Sequence, residues 1–301
     1  MAGLQLNQLN ELIDAVKNED IFAVEVDGEL KKVQASLLAP SIVELFAENG
    51  GAGLHNSIYR GKNLGSVFTN YQQAQIKAGT FNDLWIGDYW TINGINWRIA
   101  HFDYWYNVGD TPCTKHHVVV VPDTTLYNAQ MHNTSSGAYE DGAANTTEGA
   151  YAGSDMYTKN LEQAKTILKN AFGKYVLTVR RHFQNAVTSG YPSAGTWYSS
   201  KVDLMTERMV YGNSVFGNHT ALGGTTIPNL YNVDYVQLAL FRLAKQFITV
   251  RSMWYWLQDV VSAASFAFVH GGGDAYYDYA SVARGVRPAV AICGEEQEDA
   301  A

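Results

Sequence analysis

Along residues 1–50 the period of the apolar positions changes twice. Leu6, Leu9, Leu12, Ile13 and Val16 recur at three- and four-residue steps, which predicts an amphipathic helix over Leu4–Val16. The next run alternates instead, as IFAVEV and ELKKVQ with Asp27-Gly28 between its halves. That dipeptide accepts the positive φ of a tight hairpin turn, so strands are predicted at Ile21–Val26 and Glu29–Gln34. Helical spacing returns at Ser41–Glu48, just after Pro40, with Glu44 placed three residues beyond Ser41 as in a capping box.

Glycines at 50, 51 and 53 close this opening stretch, and polar turn residues with one predicted helix around Asn70–Ala78 make residues 51–82 read as a connecting arm. Asn93-Gly94 then separates two runs rich in Trp, Ile and Tyr, a second hairpin by turn chemistry. HHVVVVPD, from His116 to Asp123, is the β-branched run of a buried strand. Leu161, Ala164, Ile167, Leu168 and Ala171 share one face of a helix that stops at Gly173. The Gly-, Ser-, Thr- and Asn-rich stretch before it, and GNHTALGGTTIPN later, read as surface loops. Periodicity leaves VDLMTERMVYG open between a short helix and a buried strand; FAFV and GVRPAVAI read as strands, and GEEQEDAA as a fraying acidic tail. The expected fold class is α+β with helix in the minority, divided as 1–50, 51–82, 83–293 and 294–301.

A net charge of -8 with no cluster of Lys and Arg argues against sequence-independent nucleic-acid binding, leaving protein or glycan as expected partners. The N-terminus has neither a basic start nor a sustained apolar run, so a soluble product made in a cytoplasm is expected, without membrane insertion. Cys113 and Cys293 lack metal-ligand spacing; a disulfide stays open, with free thiols the expectation for that compartment.

The segment from Trp254 to Ile292 is the most informative. Trp254, Trp256, Phe266 and Phe268 alternate in strand fashion, so one face is expected to bury all four. The triple glycine Gly271–Gly273 reads as a hairpin tip, and beyond it comes a surface loop of Gly, Ala, Ser, Asp and Tyr. Tyr supplies large contact area with few rotatable bonds while Ser, Gly and Asp adapt their hydrogen bonds, the composition of antibody-like recognition surfaces. The candidate receptor-binding residues are therefore His270, Asp274, Tyr276, Tyr277, Asp278, Tyr279 and Ser281.

IYRGKNLG, FNDLWIGDYWTINGINWRIAHFDY, HHVVVVPDTTLYNAQM, GAYAGSDMY, WYWLQDVVSAASFAFV and GVRPAVAI resemble stretches of tailed-phage and prophage virion proteins whose C-terminal domain is C-type-lectin-like. The tryptophan strand, the Tyr/Asp/Ser/Gly segment and the terminal GVRPA are also similar to the variable region of phage tropism proteins diversified by a retroelement. That resemblance implies a virion surface protein, made in the host cytoplasm, that adheres to a host protein or glycan. It further implies that the helix-hairpin-helix at 1–50 is a module gripping other virion proteins; a homo-oligomer in which a trimer is possible, and no cofactor, are also expected. The alternative is a capsid or tail decoration protein contacting only other virion proteins. Neither an EPN-like nor a WND-like triplet occurs, so calcium-dependent sugar binding is not expected.

Two places offer candidate chemistry, and the protein is expected not to be an enzyme. His116 and His117 adjoin Cys113, with His101 and His132 near in sequence, but adjacent strand histidines face opposite ways and no metal is expected. Glu207 with Asp203 or Asp259 offers carboxylates for glycoside hydrolysis, which requires them roughly 5 to 9.5 Å apart across a cleft. Arg287, ahead of Pro288, is open to a carboxylate partner or to an exposed position.

Overall fold

The computed structural model describes residues 21–26, 29–34, 51–132, 146–183, 187–188, 191–192, 196–217, 236–250 and 253–297. The chain divides into two units, Met1–Gly50 and Gly51–Ala301. In the first, β1 (Ile21–Val26) and β2 (Glu29–Gln34) pair antiparallel from Ile21↔Gln34 to Val26↔Glu29, as the alternating pattern predicts. The helices expected at Leu4–Val16 and Ser41–Glu48 lie outside the described residues, as does the Asp27-Gly28 turn.

The second unit is α+β, mostly sheet with a few short helices. Residues 51–82, expected as an arm, are built into it. Arg60 reaches the Asp88 carboxylate at 2.6 Å, and Asp88, fully buried, also accepts the N–H groups of Lys62 and Trp85. Withdrawing the segment would strand that carboxylate, so it is pinned in place. α1 (Asn70–Ala78) starts at a reciprocal capping box between Thr69 and Gln72 and ends on left-handed Gly79.

The strands that follow are β3 (Tyr89–Ile92), β4 (Ile95–Phe102), β5 (His117–Pro122) and β6 (Asn128–Ala129). α2 (Leu161–Phe172) precedes β7 (Val179–Phe183), β8 (Val187–Thr188), β9 (Tyr191–Pro192), β10 (Thr196–Ser200) and β11 (Asp203–Leu204). α3 (Glu207–Tyr211) and α4 (Ala239–Leu243) lead to β12 (Tyr255–Val260), β13 (Ser265–Val269), β14 (Ala275–Tyr279), β15 (Arg284–Gly285) and β16 (Pro288–Cys293). Two five-stranded sheets result, ordered β11-β16-β5-β4-β3 and β14-β13-β12-β15-β6.

The β3–β4 turn has Asn93 and Gly94 at φ 52° and 77°, the left-handed pair that its sequence predicts. β5 and β16 are buried at every position and apolar at nearly every one, as strands covered on both faces must be. α1 lies against both. Just beyond β16 the chain passes so close to α1 that a Cβ on Gly294 would sit 1.9 Å from the Gln73 carbonyl oxygen, a fit open only to glycine.

Several expectations need correction. α2 buries Leu161, Ala164, Leu168 and Phe172, while Ile167 and Ala171 are only partly covered, because the helix is rotated toward Phe172 at its cap. VDLMTERMVYG is both of its readings in succession, β11 and then α3. Arg287 is fully buried with no carboxylate partner among the described residues: its Nε donates to the Pro122 carbonyl at 2.9 Å, and its guanidinium lies 5.0 Å from the Tyr255 ring centre. The first part of the acidic tail is tied down, with Glu295 3.2 Å from Lys115 and the Gln297 N–H donating to the Lys174 carbonyl at 2.8 Å. Residues 298–301 lie outside the described residues, as does most of each predicted surface loop. Cys113 and Cys293 are free thiols. Among the described residues no helix is long and apolar enough to cross a membrane.

Candidate functional site

β13 and β14 form a hairpin whose tip is the triple glycine, and β14 is the edge strand of its sheet among the described residues. The tip is held from several sides. Gly273, at φ +92°, is packed so that a Cβ would meet Thr249 Cγ2 at 2.8 Å, and its carbonyl accepts the Tyr211 hydroxyl at 3.0 Å. The His270 N–H donates to the Asp274 carbonyl at 2.8 Å across the turn. The segment expected as a loop is thus a regular strand, paired from Val269↔Ala275 to Ser265↔Tyr279. Pairing fixes the side chains of β14 relative to the buried strand behind it.

The structure brings His270, Asp274, Tyr276, Tyr277 and Asp278 together along one open groove of about 370 Å³, joined by Trp254, Phe268 and Arg284. Tyr279 and Ser281 are not among its lining. Tyr279 sits at the far end of β14 with its N–H on the Asp278 carboxylate, and the Ser281 carbonyl accepts from Gln130.

Trp254 is the main correction here. Trp256, Phe266 and Phe268 are buried as expected, but Trp254, which precedes β12, is only half-buried. Alternation places Trp254 and Trp256 on one face; whether that face is covered depends on other elements. Ala129 of β6 covers Trp256 and accepts its indole N–H at 3.0 Å, whereas Trp254 forms the groove's floor. Its ring stacks on Phe268 at 5.6 Å and lies 4.6 Å from His270. Arg284 rests 4.1 Å above the Trp254 ring and is ion-paired with Asp278, so charge and aromatic face are interlocked.

Tyr276 and Tyr277 stack face to face at 5.5 Å, and Phe216 supports both at 6.1 and 5.2 Å. Phe216 is held in turn by Glu207. The buried Glu207 carboxylate accepts the N–H groups of Val215, Phe216 and Gly217 at 2.8 to 3.1 Å, while its own N–H donates to Asp259 at 2.7 Å. Burial first, then the negative charge of Asp259, pushes the Glu207 carboxyl above its ordinary range, and the three N–H groups pull it back.

Charge-assisted bonds of this kind contribute about 1.5–3 kcal/mol each, so Glu207→Ala should speed amide exchange at Val215, Phe216 and Gly217 by roughly tenfold or more. Glu207→Gln keeps an oxygen where Oε2 sits and also removes a charge opposite Asp259, so its effect should stay within about threefold. Hydrogen exchange read by mass spectrometry checks both, and unchanged protection in Glu207→Ala would rule out the clasp.

Phe216 and Arg284 were missed by sequence reasoning. Phe216 lies 52 residues before Phe268 and outside any helix or strand, with no spacing that links them. Arg284 reads locally as one more surface charge.

The histidines and carboxylates with candidate chemistry make separate contacts. His116 bonds Asp103 at 2.6 Å, buried His117 accepts the Trp105 N–H at 3.1 Å, and His101 accepts the Ala239 N–H at 3.1 Å. Burial, with the Arg242 charge second, pushes His101 down to about 3. His132 packs near Phe266, in the other sheet. Among the described residues no group of three or more His, Cys, Asp and Glu is placed to hold a metal ion. Asp203 pairs with Arg181 inside the core, and none of Asp203, Glu207 and Asp259 lines the Trp254 groove.

Comparison of the chain with family models, with curated proteins and with solved structures returned no match in any of the three.

Proposed function

We propose that this chain is a phage virion surface protein whose second unit has C-type-lectin-like architecture and displays the β14 face for adhesion to a host-cell protein or glycan. In this reading residues 1–50 are a helix-hairpin-helix module that joins other virion proteins. One observation carries it. Tyr276, Tyr277 and Tyr279 are 55%, 44% and 42% exposed on a strand whose partner, β13, is buried at every position. Large exposed aromatics on a rigid frame have little to offer the fold and much to offer a partner, since they bring contact area with little ordering cost.

The groove is lined by eight residues, against the roughly 20–30 per side of a standard interface, so one copy should bind weakly. Several copies on one particle would raise the effective concentration and supply avidity. Particles carrying Tyr276→Ala/Tyr277→Ala should adsorb to their host about tenfold less or worse, because aromatic contacts dominate interface energies. Both side chains are exposed, so particle yield should not change. Normal adsorption overturns the reading, and loss of particle integrity instead of adsorption favours a decoration protein.

A further inference from the structure

A second groove lies on the opposite kind of chemistry. It measures about 200 Å³ and is lined by Lys165, Lys169, Lys174 and Lys201, with Gly173 and Gln297 in its wall. These lysines come from three segments. Lys165 and Lys169 stand one turn apart on α2, Lys174 follows the Gly173 cap, and Lys201 links β10 to β11. Their backbones are fixed by buried neighbours: Leu168 and Phe172 on α2, Ser200 and Val202 beside Lys201. At Lys174 the carbonyl is held by the Gln297 N–H at 2.8 Å.

The chain carries 29 acidic against 21 basic residues, so four lysines converging on one groove run against its overall charge. Lys165 is partly neutralised by Glu162 at 2.6 Å. Among the described residues Lys169, Lys174 and Lys201 form no ion pair. The carbonyl end of α2 contributes only about half a negative charge, which cannot balance three ammonium groups. Holding these three cations together with no ion-pair partner among the described residues costs Coulomb energy, and an anion in the groove would recover it.

We propose that this groove binds a compact oxyanion bearing more than one phosphate or sulfate group. Lysines act as point charges on flexible stems, unlike the planar fork of arginine, so they select by charge and size rather than by bidentate geometry. The same oxyanion chemistry is offered by free diphosphate and by phosphate esters carried on a saccharide. The site is separate from the Trp254 groove, with which it shares no lining residue.

Titration calorimetry of the full chain with sodium pyrophosphate, and in parallel with glucose 1,6-bisphosphate, tests it. Saturable binding at one site per chain, weakening as salt rises, is expected for at least one probe. Lys169→Ala/Lys174→Ala should weaken it by about tenfold or more, the equivalent of about 1.4 kcal/mol. Lys159→Ala, which removes an exposed lysine paired with Asp155 outside the groove, should leave it unchanged. Both replacements are at exposed side chains, and circular dichroism confirms folding. Tighter binding of the sugar bisphosphate assigns a saccharide-borne ligand, and tighter binding of pyrophosphate a free one; either supports the site. No saturable binding of either probe, or equal binding by the double variant, overturns it.

Discussion

Asp203→Ala should lower the stability of the second unit by about 4 kcal/mol, among the largest losses available to a single substitution in this fold. Asp203 lies 3.1 Å from Arg181, and each side chain is only 2% exposed. The pair joins β7 to β11, strands of different sheets. Tyr151 completes the arrangement, donating its hydroxyl to Asp203 at 3.4 Å while accepting the Leu204 N–H at 2.9 Å. Burial pushes the Asp203 carboxyl above its ordinary range even though the Arg181 charge opposes this. Desolvation is therefore the dominant cost of the pair.

That cost decides the outcome of breaking it. Removing Asp203 alone leaves a guanidinium buried 5.2 Å from the Trp105 ring and 5.4 Å from Phe183 without the Asp203 charge, a situation worth about 3–5 kcal/mol. Removing both charges, as Asp203→Ala/Arg181→Met, takes away the desolvation cost together with the attraction, and should recover at least about half of the loss. All 7 tryptophans lie in the second unit, at positions 85 to 256, so urea unfolding followed by tryptophan fluorescence reports on it directly. A loss under about 1 kcal/mol for Asp203→Ala would show that water reaches the pair.

The second large effect separates two tryptophans that stand two positions apart. Trp256→Ala should cost about 3–5 kcal/mol from the cavity alone, because its ring is fully buried and packs edge-on to Phe268 at 6.0 Å. Loss of the indole bond to Ala129 adds about 1 kcal/mol. Trp254→Ala removes a half-buried ring from the groove floor, so its stability cost should be only about 1 kcal/mol. Binding should respond the other way round. At a temperature where both variants are folded, Trp254→Ala should abolish the adhesion proposed for this groove, since Arg284, Phe268 and His270 all rest on that ring. If both substitutions cost equal stability, Trp254 belongs to the core and the groove loses its floor.

Much of the frame could be read in advance because it rests on local chemistry. Asn93-Gly94 specifies a left-handed turn wherever it occurs between strands, and the observed angles follow. The α1 span and the run of four valines in β5 likewise carry their own signals, in a capping box and in unbroken apolar character. The tip glycines and the tyrosine-rich segment behind them were identified for the same reason. The strand character of that segment was not, because the tyrosines of Ala275–Tyr279 that favour a strand stand between the flexible Gly271–Gly273 run and Ser281, and pairing to β13 is what extends them.

By itself, then, the sequence determined the α+β class, the hairpins, α1 and the placing of exposed tyrosines beyond a buried tryptophan strand. Each follows from side-chain period or turn chemistry within a few residues. Only the tertiary structure decided which tryptophan is covered, that Arg287 is buried among carbonyls, that Glu207 holds Phe216 under Tyr276 and Tyr277, and that four lysines share a groove. Those facts depend on which distant elements meet. Periodicity fixes the direction of a side chain relative to its own strand or helix, whereas its burial and partners are fixed by whatever the rest of the chain brings against it.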